Sequence, residues 1–136
     1  MSELSIEYIA GLFDGEGWVG IVTSKQSPYY QLQVSITNTC LDVLLLCQKQ
    51  FGGSISKKPD RPLTRKFCYQ WRASTKRAGI FLKAISPYAI IKKQHVEVAL
   101  EFMSVRPLYQ RVSDDKFLLF EDLRKKMKQL NSYKTK

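Results

Sequence analysis

Tyr8-Ile9-Ala10-Gly11-Leu12-Phe13-Asp14-Gly15-Glu16-Gly17 is the stretch that decides the fold. Ser5 just ahead of it is an N-cap candidate, and Glu7 suits the positive end of a helix. Ile6, Ile9, Ala10 and Phe13 recur at i, i+3, i+4 and i+7, which is one apolar helix face. Tyr8 and Leu12 give a second apolar face, with Gly11 between them. A helix apolar nearly all round is buried on every side. One side is easily covered by a small domain; the other wants a partner, and Gly11 is where another backbone can approach. Gly15 and Gly17 end the helix. Asp14 and Glu16 sit at that end, where partial negative charge makes acids a poor electrostatic choice. A bound divalent cation is the simplest compensation; the bland reading is an exposed turn.

Beyond Gly17 the period changes. Val19, Ile21 and Thr23 alternate with Trp18, Gly20, Val22 and Ser24, which is a strand. Lys25-Gln26-Ser27-Pro28 is a turn. Tyr30, Leu32, Val34 and Ile36 then alternate with Gln31, Gln33, Ser35 and Thr37, the cleanest alternation in the chain. The two strands make an antiparallel hairpin, apolar on one face and polar on the other. Uncharged hydrogen-bonding side chains about 7 Å apart suit base edges in a groove. A plain solvated face is the alternative, and the chain's overall charge favours DNA.

Asn38 to Asp42 leads into a core helix with the apolar run Val43 to Cys47, ending at Phe51-Gly52-Gly53, where the glycines mark the C-cap. A second hairpin follows: Ser54-Ile55-Ser56, a loop from Lys57 to Lys66, then Phe67, Tyr69 and Trp71 alternating with Cys68, Gln70 and Arg72. The loop holds five cations (Lys57, Lys58, Arg61, Arg65, Lys66) against Asp60 alone. Phosphate contact is its expected task, because such contacts carry affinity without reading sequence. Strict alternation assigns the three aromatics to the core rather than to base stacking. Ser74-Thr75 is expected to cap a helix through Ile85, and Ser86-Pro87-Tyr88 breaks it. Ala89 to Gln94 then leads into a helix with Val96, Val98, Ala99, Leu100, Phe102 and Met103, ending at Arg106-Pro107. A last amphipathic helix spans Asp114 to Leu130, with Phe117, Leu118, Phe120, Leu123, Met127 and Leu130 on its apolar side. Residues 131–136 read as a mobile basic tail. The class is α+β, in the order α-β-β-α-β-β-α plus C-terminal helices. Two hairpins around a helix imply a four-stranded antiparallel sheet with helices on one face.

The 136 residues make a single domain, 1–136, with room for a core. A net charge of +10 and a pI near 9.6 imply a polyanionic partner. No run of about 18 apolar residues exists, and no long basic amphipathic helix offers itself to a membrane, so nucleic acid is favoured. Three widely spaced cysteines fit neither a disulfide framework nor a zinc site, and suit a reducing compartment. A single histidine, His95, excludes histidine-cluster chemistry.

Ile9 to Gly17 resembles the nine-residue signature of the LAGLIDADG homing endonucleases. Ala10, Gly11, Leu12, Asp14 and Gly17 match it letter for letter, and Glu16 stands where the family usually has its second Asp. The resemblance extends over roughly residues 5 to 105. One copy of the motif is similar to the homodimeric branch. The resemblance implies the LAGLIDADG fold, with a saddle-shaped sheet in each major groove and signature helices crossing between protomers over the minor groove. Tyr8, Gly11, Leu12 and Asp14 would form that dimer interface. Glu16, with the Gly15 carbonyl, would hold Mg²⁺; Mn²⁺ would substitute, and Ca²⁺ would support binding without cleavage. Lys92, or its neighbour Lys93, would stand near the scissile phosphate, and Asn38 would order the water. Ser24, Lys25, Gln31, Gln33, Ser35, Thr37, Ser56, Lys57, Lys58, Arg61, Arg65, Lys66, Gln70 and Arg72 would contact double-stranded DNA. The implied activity is site-specific double-strand cleavage of a long, pseudo-palindromic site. The alternative is a catalytically silent RNA maturase or DNA-binding regulator on the same scaffold. An organelle or a prokaryotic cytoplasm is the expected location.

Overall fold

The computed structural model of the chain describes residues 4–24, 27–59, 67–105 and 114–132. In chain order they form α1 (Ile6–Glu16), β1 (Gly17–Ser24), β2 (Ser27–Asn38), α2 (Leu41–Phe51), β3 (Ser54–Pro59), β4 (Phe67–Ser74), α3 (Lys76–Ile85), α4 (Lys93–Val105) and α5 (Asp114–Ser132). The strands make one antiparallel sheet in the order β1-β2-β4-β3. The α-β-β-α-β-β-α order and the antiparallel sheet are therefore as the alternation implied.

Alternation sorts the strands into two faces. Val19, Ile21, Tyr30, Leu32, Val34, Ile36, Trp71 and Ala73 are buried on the inner one, and the helices lie over it. Phe81 of α3 sits at the centre. Its ring lies 5.3 Å from Phe13, 5.1 Å from Phe51 and 5.0 Å from Trp71. Such pairs contribute about 0.5–1.5 kcal/mol each beyond burial. Gly52 and Gly53 close α2 at φ +74° and +94°, conformations that L side chains rarely adopt. A Cβ at Gly53 would come within 2.5 Å of the Arg72 carbonyl.

The junction before α3 differs from the expected cap. Thr75 occupies the N-cap position, but its hydroxyl caps nothing, and its φ is +54°. Its N–H instead donates to the Leu32 carbonyl at 2.6 Å, continuing the pairing of β4 with β2. The ladder bond holds the strained backbone in place.

The last helix is a full part of the core. Phe120, Leu123 and Met127 are buried, whereas Leu118, expected on the apolar side, is 68% exposed. The helix runs to Ser132, and the Asn131 amide donates to the Val19 carbonyl on the open edge of β1 at 2.9 Å. Residues 131 and 132, assigned to the tail, thus belong to the helix, and 133–136 lie outside the described residues. Glu121 receives the Tyr30 hydroxyl at 2.8 Å and the Arg124 guanidinium. The Arg124 bond is the main cause that holds the Glu121 carboxyl down at about 2. Burial, then the bond to Glu121, pushes the Tyr30 phenol up to about 12.

Candidate metal site and nucleic-acid interface

Signature helix α1 uses its faces differently. Ile9, Ala10, Phe13 and Asp14 are buried. Tyr8 is 55% exposed, Gly11 and Gly15 are exposed, and Leu12 is half-buried. These four positions recur at i, i+3, i+4 and i+7, so they share one face. A Cβ added at Gly11 or Gly15 would meet nothing within 4 Å. Nothing among the described residues requires glycine at either place.

Asp14 resolves the electrostatic oddity of acids at a helix end. Its carboxylate accepts the N–H of Ile90 at 2.9 Å and of Lys92 at 3.1 Å. Those amides lead into α4, so the acid at the C-terminal end of α1 lies at the N-terminal end of another helix, where negative charge is favoured. Lys92 completes the exchange: its ammonium donates to the Asp14 carbonyl at 2.8 Å, a cation on the carbonyl end of α1. Expected at the dimer interface, Asp14 spends both carboxylate oxygens within its own chain. The local pattern, for which a cation is the simplest compensation and an exposed turn the alternative, carries no sign of this contact, made across 78 residues.

Glu16 is the last residue of α1, and β1 begins at the next residue. It is exposed, and its Oε1 accepts from the Asn38 amide nitrogen at 2.8 Å. The Asn38 oxygen accepts the Cys40 N–H at 2.8 Å. That second bond fixes which end of the amide faces Glu16. The structure therefore brings Glu16 and Asn38 together, and places Lys92, 5% exposed, against the residue two positions before Glu16. Lys93 is exposed at the start of α4.

The donors suit a hard dication. One Glu16 oxygen is taken by Asn38, which leaves the other, and Gly15 lies in the last turn of α1, where carbonyls lack helical partners. Among the described residues no three His, Cys, Asp or Glu converge. One carboxylate with helix-end carbonyls is fewer oxygen donors than a hard dication takes, so a metal here would need donors from elsewhere.

The outer sheet face carries polar rows set by the register. Thr37 pairs with Gln70 and Gln70 with Ser56; Trp18 pairs with Ser35, Ser35 with Arg72 and Arg72 with Ser54. Gln31, Ser56 and Arg72 are exposed, and Gln33, Thr37 and Gln70 are half-buried. The Arg72 guanidinium donates to the Gln70 oxygen at 2.8 Å. Two of the expected contacts are displaced. Ser35 is 6% exposed, because Trp18 and Arg72 flank it as direct cross-strand neighbours. Lys57 pairs with Tyr69 and shares the parity of Ile55, so it projects from the helix-bearing face. Ser24 and Lys58 lie in β1 and β3, and only their backbones are described. Lys25, Arg61, Arg65 and Lys66 lie outside the described residues. Trp18, 40% exposed on the polar face two residues after Glu16, is a surface residue that the strand reading passed over; its parity with Gly20 and Ser24 was the available signal.

A basic chain with an acid-tipped helix, an exposed helix face at Tyr8, Gly11 and Gly15, and a polar antiparallel sheet has the features of a nucleic-acid-processing protein. The chain belongs to the LAGLIDADG endonuclease family, whose profile matches residues 9–100. Among curated protein sequences nothing matches it. Solved structures share its fold. The homing endonuclease I-CvuI, in complex with the I-CreI target in the presence of Mg, superposes at a TM-score of 0.71 with 18% identity, over 92% of this chain and 80% of that one. The archaeal intron-encoded homing endonuclease I-Vdi141I, complexed with DNA, gives 0.69 and 19%, over 92% and 82%. The LAGLIDADG meganuclease I-AabMI, bound to uncleaved DNA, gives 0.69 and 17%, over 89% of this chain but 44% of its own.

Proposed function

We propose that the protein is a site-specific homing endonuclease that cuts both strands of a pseudo-palindromic DNA site as a homodimer, with Mg²⁺ as its metal. The observation that carries this reading is the Glu16–Asn38 pair at the end of a helix whose outer face is bare. Two-fold crossing of α1 at Tyr8, Gly11 and Leu12 would bring two Glu16 carboxylates together. A chain covering 44% of I-AabMI is about half of what one continuous polypeptide of this family holds, which favours two copies.

Each residue has a definable task. Glu16 and the Gly15 carbonyl hold the metal, which when bound supplies Lewis acidity and an activated water. Asn38 holds Glu16 in one rotamer and is itself held by Cys40. Lys92 adds fixed positive charge beside the place where phosphorane charge develops. Gln31, Gln33, Gln70 and Arg72 meet base edges, and Arg72 suits guanine. Mn²⁺ would replace Mg²⁺, and Ca²⁺ would allow binding alone. Three free cysteines fit a reducing compartment. The maturase and regulator readings need no carboxylate at Glu16 and are not favoured.

The test is selection of random duplexes on the protein in Ca²⁺, followed by Mg²⁺. Wild type should enrich a two-fold-related site and then cut both strands. Glu16→Gln keeps an oxygen for Asn38 and should bind but not cut. Cleavage by that variant would overturn the assignment.

A further inference from the structure

At the open edge of β1 the sheet meets α5, and a cleft of about 230 Å³ lies between them. One wall is Trp18. Its indole covers Gly20, where a Cβ would come within 2.4 Å of the ring, so the ring's position depends on the bare glycine. The other wall is one flank of α5: Arg124, Lys128 and Asn131, spaced i, i+4 and i+7. Asn131 is fixed to the strand through the Val19 carbonyl. Arg124 is committed to Glu121, and Lys126 to Asp122. Lys128 is in neither pair and is exposed. The opposite flank of the same helix, with Lys126, Gln129 and Leu130, faces α4 instead.

We propose that this cleft binds a backbone phosphate and sugar of duplex DNA, with Lys128 on the phosphate and the Trp18 indole against the deoxyribose. This rests on the reading of the outer sheet face as the DNA-binding surface and adds the last helix to it. Three observations converge. Trp18 is a large aromatic side chain, 40% exposed, on the outer sheet face and forms one wall of the cleft. It stands two residues after Glu16, at the start of β1, beside the acidic end of α1. A cation and an apolar wall suit the charged and apolar parts of a nucleotide backbone and carry no base preference.

The probe is a short fluorescein-labelled duplex of mixed sequence, titrated in Ca²⁺ with the full chain over a range of salt. Each lost phosphate contact lowers the slope of log K against log salt by about 0.9. Lys128→Gln should lower it by about 1.8 for a dimer, whereas Lys126→Gln, the same charge change on the far flank, should leave it unaltered. DNA should also quench tryptophan emission from wild type but not from Trp18→Phe, because the other tryptophan, Trp71, is fully buried. If Lys128→Gln keeps the wild-type slope while Arg72→Gln weakens binding, the cleft proposal is overturned and the sheet reading stands. If Lys128→Gln keeps the slope and Arg72→Gln binds as tightly as wild type, both are overturned. Equal flattening by Lys126→Gln would mean diffuse charge and no cleft contact, which also overturns it.

Discussion

Replacing Asp14 with Asn tests the link between the signature helix and the turn before α4. The substitution is nearly isosteric and keeps one oxygen, so one of the two N–H groups of Ile90 and Lys92 keeps its acceptor. The other would face an amide NH₂. A hydrogen bond to a charged group contributes about 1.5–3 kcal/mol, and a buried donor left unpaired costs about 1–3 kcal/mol. These overlap, and with the site 8% exposed water rescues little. The expected loss is about 2–4 kcal/mol. For 136 residues the unfolding entropy is about 0.29 kcal/mol/K, so Tm should fall by about 7–14 °C at fixed protomer concentration. Asp14→Ala loses both acceptors and should fall further. Thermal unfolding followed by circular dichroism gives the order directly. An Asn variant within about 0.5 kcal/mol of wild type would refute the argument that these two bonds anchor the helix.

Gly11→Leu should split the dimer into monomers in analytical ultracentrifugation while the helix signal is kept. The added side chain enters open space in its own protomer, and leaving glycine improves helix propensity by somewhat under about 1 kcal/mol. A dimer untouched by the change would refute crossing at this face. The Glu121 carboxyl is held at about 2, below its usual 4.5, so its contribution is complete above about pH 4.5 and fades as pH falls toward 2. The stability gap between wild type and Glu121→Gln should shrink across that window in urea titrations, and a constant gap would count against the pairing. Tyr30 acts in the opposite sense: its folded phenol is raised from 10.0 to about 12, so its contribution is present below pH 10 and is lost as pH rises toward 12. Tyr30→Phe should remove that alkaline decline.

What the sequence disclosed was local. The i, i+3, i+4 pattern of α1 and the alternation in β2 each arise within one element, and both marked their buried faces correctly at Ile9, Phe13, Leu32 and Ile36. Lys57 was placed on the DNA side although its parity with Ile55, readable in the sequence, puts it on the helix side. What stayed hidden depends on partners far along the chain. Nothing near Asp14 announces Ile90 and Lys92. Ser35 is polar and at the correct parity, yet its burial comes from Trp18 and Arg72 on two other strands. The Asn38 role lay between these cases: an Asn two residues before Cys40 is a recognisable turn-former, but its second bond, to Glu16, needed the sheet to form.

The pleat that separates core side chains from polar ones also shapes what such a protein can become. Gln31 and Arg72 can change identity with small effect on the buried side, since exposed substitutions away from special features cost within about 0.5 kcal/mol. Glu16 and Asn38 stand at one end of those rows, outside the positions that would vary. Under the proposed function, a lineage can therefore move among targets along a nearly neutral path while Glu16 and Asn38 stay fixed. A laboratory library confined to the exposed outer positions of β2 and β4 would follow the same route.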